Sequence, residues 1–187
     1  GAAYQAAELP CSNGRIMSDI DLLVAKNQLS LVQSHLLKYN WMSISMDDYD
    51  EKYYRTWMHE IPPLRHITRL TTLDVHHNIL PLTNKKVIDP RKLNYKLVSH
   101  EWCGELLTLD PVDTVIHSSV HLFTESEFSK GLRDLSDIDM LIRYFSKNDA
   151  SFVDKLILRS NELGLSSYTK LALRYTNLVL HTPGTEN

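Results

Sequence analysis

The sequence predicts an α+β protein, with an α/β domain over residues 1–109 followed by an all-helical domain over residues 110–187. Before Leu109, short apolar segments with strand-like alternation are interspersed with helical patterns. After Leu109, apolar residues recur at helical spacing. The chain has 187 residues, of which 43% are hydrophobic, so it is long enough to bury one large core or two small ones.

The helical domain begins at Asp110-Pro111, a pair typical of a helix start because Asp caps free N–H groups and Pro is tolerated in the first turn. Four apolar stripes follow, and Gly164 separates the last two. The stripes consist of Val112, Val115, Ile116, Val120 and Phe123; Leu132, Leu135, Ile138, Leu141, Ile142 and Phe145; Phe152, Val153, Leu156, Ile157 and Leu163; and Leu165, Tyr168, Leu171, Ala172, Tyr175 and Leu178. They predict a four-helix bundle with no strand beyond residue 110.

The first domain is predicted to alternate strands and helices. The pattern indicates strands at residues 19–24, 41–46, 71–80 and 103–109, a helix at 27–39, a loop or short helix at 47–57, and a Pro-punctuated connection at 81–97. The pair Pro62-Pro63 must lie at the edge of the sheet or outside it, because proline cannot donate to a strand ladder.

Two carboxylates, Asp19 and Asp21, stand two residues apart in an otherwise apolar segment. Side chains alternate along a strand, so both carboxylates are expected on one face while Ile20, Leu22 and Val24 face a core. Adjacent carboxylates repel each other unless a cation lies between them, and oxygen-rich sites suit Mg²⁺. The alternative is a surface strand or turn with two solvated aspartates. The unbroken apolar partners favour the metal site.

A third carboxylate, Asp74, lies in the predicted strand at residues 71–80. One face of that strand carries Leu73, Val75, His77 and Ile79, and the other carries Thr72, Asp74, His76 and Asn78. If this strand lies beside the first, Asp74 joins Asp19 and Asp21. Three converging carboxylates can hold two divalent ions, Mg²⁺ or Mn²⁺, for phosphoryl or nucleotidyl transfer. The alternative is a lone polar strand residue that faces solvent.

An ordered set of motifs resembles the uncharacterised bacterial branch of the nucleotidyltransferase superfamily, which is built on a DNA polymerase β-like palm. The motifs are Gly1-Ala2-Ala3-Tyr4, Gly14-Arg15-Ile16-Met17-Ser18-Asp19-Ile20-Asp21, His59-Glu60-Ile61-Pro62-Pro63-Leu64-Arg65-His66, Leu73-Asp74-Val75-His76-His77 and Gly131-Leu132-Arg133-Asp134-Leu135-Ser136-Asp137. The resemblance implies a mixed-sheet palm, here lacking its first strand, that transfers a nucleoside monophosphate from NTP to an unidentified hydroxyl-bearing acceptor. Asp19 and Asp21 would bind both ions. Asp74 would bind the catalytic ion and orient or deprotonate the acceptor hydroxyl.

The resemblance also implies nucleotide binding by Gly1, Arg15 and Ser18. The superfamily usually places a Gly-Ser pair at a helix start, whereas Gly1-Ala2 lacks the serine hydroxyl. A start at Gly1 is expected for a fragment or for a residue left by a cleaved tag. The Arg15 guanidinium could bind phosphate oxygens or form a structural salt bridge with an acidic neighbour.

Further residues are expected in the catalytic cleft because their motifs match those of the family. These are His59, Glu60, Arg65, His76, Arg133 and Asp137. On residues alone, the segment around the double proline could be a solvated loop, and Arg133 could pair with Asp137 on a helix surface at i, i+4. His117 and His121 have a two-ligand zinc spacing but no third ligand is evident, so we predict a helix face that lines the cleft or forms hydrogen bonds with the palm.

Composition excludes several other functions. A net charge of −3 gives no support for general nucleic-acid binding, and no apolar run approaches the ~20 residues that span a bilayer. Cys11 and Cys103 lack metal-ligand spacing, which indicates a reduced, cytoplasmic protein. Two alternative functions stay open. One is a catalytically idle palm-like binding or regulatory module, and the other is a metal-dependent phosphohydrolase, whose usual His-Asp metal pair is absent from the sequence.

Overall fold

The computed structural model describes residues 1–17, 19–44, 47–101, 104–124 and 128–185. These residues form an α+β protein with seven α-helices, a four-stranded mixed sheet and a separate two-stranded sheet. In chain order the elements are α1 (Ala2–Ala6), β1 (Asp19–Leu23), α2 (Leu29–Lys38), β2 (Trp41–Ser43), α3 (Asp48–Trp57), β3 (Leu64–His66), β4 (Thr72–His76), β5 (Tyr95–His100), β6 (Gly104–Leu109), α4 (Pro111–Thr124), α5 (Gly131–Ser146), α6 (Phe152–Glu162) and α7 (Ser166–Leu180).

The chain divides into two compact units. The first contains Gly1–Ala2 and Ile16–Arg91, and the second contains Ala3–Arg15 and Lys92–Asn187. This division falls between Arg91 and Lys92, so β5 and β6 belong to the helical unit. The predicted boundary after residue 109 instead follows the change from strand to helix periodicity.

The four-stranded sheet of the first unit has the strand order β1-β4-β3-β2. The edge strand β1 runs parallel to β4, whereas β4 pairs with β3, and β3 with β2, in antiparallel fashion. The double proline directly precedes β3, as its missing N–H groups require. The segment at 47–57 is a helix, and the Asp47 side chain caps it by accepting a hydrogen bond from the Asp50 N–H at 2.8 Å.

A small hydrophobic core covers one face of this sheet. Its buried members are Ile61, Leu64, Leu73 and Val75, against which Val24, Leu29, Val32, Leu36 and Trp41 pack. The prediction that Ile20 and Leu22 face a core is wrong, since they are 39% and 38% exposed. They lie on the edge strand, while the core is centred on β4 and β3. Val24 does pack against the core, as predicted.

The two-stranded sheet of the second unit contains one strand, β5, that the sequence pattern does not predict. β5 and β6 form an antiparallel hairpin in which Tyr95 pairs with Leu109 and His100 with Gly104. Residues 95–97 therefore belong to a strand rather than to the predicted connection. Most of β5 is exposed, so its strand conformation depends on hydrogen bonding with β6 rather than on a buried apolar face.

The four predicted helices of the second unit are confirmed as α4, α5, α6 and α7, each of which contacts the other three. The Asp110 side chain accepts a hydrogen bond from the Asp113 N–H at 2.8 Å and so caps α4. The fully buried centre contains Val115, Ile116, Val120, Ile138, Leu141, Ile142, Leu156 and Leu165. Other members of the predicted stripes are exposed at the surface, namely Leu132, Leu171, Tyr175 and Leu178.

Beyond residue 110, the described part of the chain contains no strand. None of the helices in the described ranges has the length and apolar character required to cross a membrane.

Candidate active site

The register between β1 and β4 brings the three predicted catalytic aspartates to one sheet face. Asp21 pairs directly with Asp74, and Asp19 pairs with Thr72. Because paired residues share a face and side chains alternate along each strand, Asp19, Asp21 and Asp74 lie opposite the hydrophobic core. We call this surface the acidic face, defined by these three aspartates.

The Asp74 carboxyl group is partly buried. Its Oδ1 atom is buried and has no hydrogen-bond partner among the described residues. Burial, followed by the negative charges of Asp21 and Asp19, raises the pKa of this carboxyl group, although His76 opposes the shift. The surroundings of Asp74 therefore disfavour its ionised form on balance.

The acidic face offers the oxygen donors that Mg²⁺ and Mn²⁺ prefer, and the orphaned Asp74 oxygen is suited to a cation. As the side chains are placed, no group of three or more His, Cys, Asp or Glu residues within the described ranges is arranged to hold a metal ion. Asp21 Oδ1 instead lies 3.4 Å from His76 Nε2.

His76, the last residue of β4, connects Asp21 to a fourth carboxylate. Its Nδ1 atom lies 3.3 Å from Glu60 Oε2. Burial lowers the pKa of His76, but the hydrogen bond to Asp21 and the negative charges of Glu60, Asp21 and Asp74 outweigh burial, so the net shift is upward.

Backbone contacts with β4 fix the segment that carries His59 and Glu60. Glu60 forms an isolated antiparallel bridge with His76, and the His77 N–H donates to the His59 carbonyl at 2.7 Å. The His59 and His76 ring centroids are 5.1 Å apart. Burial raises the pKa of Glu60; His76 opposes this effect, and Asp74 and Asp21 reinforce it. His59, Glu60 and His76 thus lie together beside the acidic face.

Gly1 also lies next to this site. A Cβ atom built on Gly1 would be 3.5 Å from Asp21 Oδ2, an ordinary van der Waals distance. Ser18, the other predicted nucleotide-binding residue near Asp19, lies outside the described residues.

Arg65 places a positive charge on the same sheet face. It pairs with Thr72 in β4, which in turn pairs with Asp19 in β1. The Arg65 side chain is exposed, and its Nε atom donates to the Leu70 carbonyl at 3.4 Å, near the upper limit for a hydrogen bond.

The segment at 47–57, predicted to cover the site, contains Tyr54 in α3, a residue that the sequence analysis does not single out. Burial raises the pKa of the Tyr54 hydroxyl, and the charges of Glu60 and Asp74 raise it further. The Tyr54 hydroxyl is therefore electrostatically coupled to two carboxyl groups of the site. The only sequence signal is the aromatic character of residues 47–57, which does not distinguish a loop from a helix.

Arg15, Arg133 and Asp137 belong to the second unit, where they form an ion-pair cluster. Arg15 pairs with Asp137 and lies 3.7 Å from Asp134, whereas Arg133 pairs with Asp134 at 2.6 Å. The possible i, i+4 pair between Arg133 and Asp137 is therefore not formed, because Asp137 is engaged by Arg15. Of the two alternatives for Arg15, the structure shows the salt bridge with an acidic neighbour.

Comparison with known proteins agrees with the motifs. A family model described as "uncharacterised nucleotidyltransferase" matches residues 1–181. The chain belongs to this family, which confirms the resemblance to the nucleotidyltransferase superfamily. No curated protein and no solved structure matched the chain.

Proposed function

We propose that this member of the uncharacterised nucleotidyltransferase family transfers a nucleoside monophosphate from an NTP to a hydroxyl-bearing acceptor in a metal-dependent reaction. The observation that carries the proposal is the direct pairing of Asp21 with Asp74 on one sheet face, with Asp19 two residues away. The family match independently supports a nucleotide substrate.

Asp19, Asp21 and Asp74 would hold Mg²⁺ or Mn²⁺, because they supply carboxylate oxygens on a single surface. When bound, such an ion neutralises charge on the phosphate oxygens and on the attacking and leaving oxygens.

Asp74 would orient the acceptor hydroxyl and accept its proton, a role that suits a half-buried carboxylate with a raised pKa. The acceptor oxygen forms a bond to the α-phosphorus of the NTP as the bond to the bridging oxygen of the β-phosphate breaks. The electron pair leaves with pyrophosphate. In this scheme the protein contributes mainly positioning and electrostatic stabilisation.

Gly1 and Arg65 are suited to the triphosphate. Gly1 lies beside Asp21, because a Cβ atom built on it would be 3.5 Å from Asp21 Oδ2. Since Arg15 is engaged with Asp137, we assign phosphate binding to Arg65, an exposed guanidinium on the acidic face. The predicted contribution of Ser18 stays a prediction.

The proposal is tested with NTP labelled on either the α- or the γ-phosphate, incubated with Mg²⁺ or Mn²⁺ and fractionated cell extract as a source of acceptors. Transfer predicts that the α-label becomes covalently attached to an acceptor while the γ-label leaves in pyrophosphate. Asp21→Asn and Asp74→Asn should abolish both signals, whereas Glu105→Gln, a matched change at an exposed strand position, should preserve them.

Two other outcomes contradict the proposal. Release of the α-label as free nucleotide without any acceptor product would favour the phosphohydrolase alternative. NTP binding without any divalent-dependent turnover would favour the idle binding module.

A further inference from the structure

We propose that His76, supported by Glu60, is a positioning residue that holds the Asp21 carboxylate in the orientation that binds the divalent ion. This inference rests on the proposed function, because it assigns a role within the same metal site. It adds two residues whose contribution the family match does not specify.

The contacts form a continuous chain. His76 Nε2 lies 3.4 Å from Asp21 Oδ1, and His76 Nδ1 lies 3.3 Å from Glu60 Oε2. An ionised carboxylate oxygen can only accept, so a ring nitrogen of His76 that carries hydrogen donates to the carboxylate oxygen it faces. The imidazole ring thus links one aspartate of the acidic face to Glu60.

The two supporting side chains are held more firmly than Asp21 itself. The side chains of Glu60 and His76 are 16% and 20% exposed, whereas that of Asp21 is 58% exposed. Backbone bonds on both sides of Glu60 hold it against β4, with the Ile61 N–H donating to the Val75 carbonyl at 3.1 Å. The more rigid pair therefore constrains the more exposed carboxylate.

The two carboxylate oxygens of Asp21 face different neighbours. Oδ1 faces His76, whereas Oδ2 lies on the side of Gly1. The His76 contact restricts the rotamers of Asp21, so less side-chain entropy is lost when an ion binds. Partners that orient metal-binding side chains in this way typically contribute about 10–100-fold to metal affinity.

Two substitutions of His76 separate positioning from packing. His76→Gln keeps a donor near the position of Nε2, facing Asp21, whereas His76→Asn keeps one near Nδ1, facing Glu60, and removes the contact with Asp21. The measurement is Mn²⁺ affinity, obtained by titrating the full chain with Mn²⁺ alone and following free Mn²⁺ by electron paramagnetic resonance. His35→Asn, an exposed histidine in α2, is the matched control.

We expect His76→Asn to weaken Mn²⁺ binding about 10–100-fold, His76→Gln to retain most of the affinity, and His35→Asn to have no effect. In an Asp21→Asn background, His76→Asn should produce no further loss, because its effect acts through Asp21. A His76→Asn variant that binds Mn²⁺ like wild type, or that weakens binding equally with and without Asp21, would overturn the proposal.

Glu60→Gln provides a second test if His76→Asn fails to fold. It should weaken Mn²⁺ binding by a smaller factor, again only when Asp21 is present, and equal affinity with wild type would contradict the role of Glu60. If wild type itself does not bind Mn²⁺, the metal site of the proposed function fails as well. If wild type binds Mn²⁺ but His76→Asn is unaffected, only the positioning role fails.

Discussion

Asp21 and Asp74 pair directly across the parallel strands β1 and β4, so two carboxylates lie side by side on one sheet face. Neighbouring strands are only about 4.8 Å apart, so the charges are close enough to repel each other. One Asp74 oxygen also lacks a hydrogen-bond partner within the described residues. In the metal-free protein, the negative charges of Asp21 and Asp74 should therefore lower the free energy of unfolding.

We therefore predict that Asp74→Asn stabilises the metal-free protein at neutral pH by about 0.2–1 kcal/mol, the range typical of cross-strand pairs, because like charges at directly paired strand positions are destabilising. The free energy of unfolding is measured by urea denaturation in the presence of a chelator. Glu105→Gln, which removes an exposed strand carboxylate, should change it little. A destabilised Asp74→Asn variant would identify Asp74 as a structural acceptor instead.

The stabilising effect of Asp74→Asn should depend on pH in a definite direction. Burial raises the pKa of Asp74 in the folded state, so the folded protein binds this proton more tightly than the unfolded chain does. The tighter proton binding adds to the free energy of unfolding. This contribution is fully present below the unfolded pKa of about 3.9 and is lost as pH rises through the pKa of Asp74 in the folded state. The free energy of unfolding of Asp74→Asn should therefore exceed that of wild type least in acid, and the difference should grow toward neutral pH. A difference in the free energy of unfolding that shrinks toward neutral pH would contradict this account.

Arg65 is predicted to bind phosphate without contributing to the metal site. Arg65→Ala should raise KM for NTP about tenfold or more, since charge-assisted hydrogen bonds are worth about 1.5–3 kcal/mol. Mn²⁺ affinity in the absence of NTP should be unchanged or slightly higher. Arg69→Ala, at a nearby exposed arginine, is the control. An unchanged KM in Arg65→Ala would remove Arg65 from the phosphate site.

The second unit offers a prediction about stability alone. Asp113 is fully buried and accepts two hydrogen bonds from Arg159, at 2.9 and 3.0 Å, and one from the Asn94 N–H at 2.7 Å. Asp113→Ala should destabilise the protein by about 3–5 kcal/mol, because it leaves these donors without their acceptor. Glu162→Ala removes the exposed partner of the same arginine and should cost less than about 1 kcal/mol. Similar losses in both variants, measured by urea denaturation, would contradict this difference.

Cys11 should be a poorly reactive thiol. Burial, together with the negative charge of Asp137, raises its pKa from 9.0 to about 11. In a Cys103→Ser background, a thiol reagent at pH 8 should therefore label Cys11 slowly in the folded protein and rapidly in urea. Rapid labelling of the folded protein at pH 8 would show that Cys11 is accessible.

The aspartates of the acidic face could be predicted from sequence because strand alternation is a local property. Alternation places Asp19 and Asp21 on one face, and the same rule separates Asp74 from Leu73 and Val75. It does not specify which strands become neighbours. The parallel pairing of Asp21 with Asp74 depends on contacts between distant segments, and here the resemblance to a known family supplied the missing information.

Long-range pairing also explains what the sequence did not reveal. Arg15 and Asp137 are 122 positions apart, so their ion pair leaves no local pattern, whereas the i, i+4 spacing of Arg133 suggested a different partner. The contact between Glu60 and His76 likewise depends on an isolated bridge between non-adjacent segments. Exposure of Ile20 and Leu22 follows from the edge position of β1, which alternation alone does not indicate.

The central claim is that the acidic face binds a divalent ion together with an NTP, and anomalous diffraction tests it most directly. Crystals would be soaked with Mn²⁺ and an NTP analogue that cannot be cleaved between the α- and β-phosphates, and Mn²⁺ would be located from its anomalous signal. We expect Mn²⁺ in contact with the carboxylates of Asp21 and Asp74, with a second ion about 4 Å away near Asp19. Triphosphate bound away from the acidic face, or Mn²⁺ bound only at other carboxylates, would contradict the account.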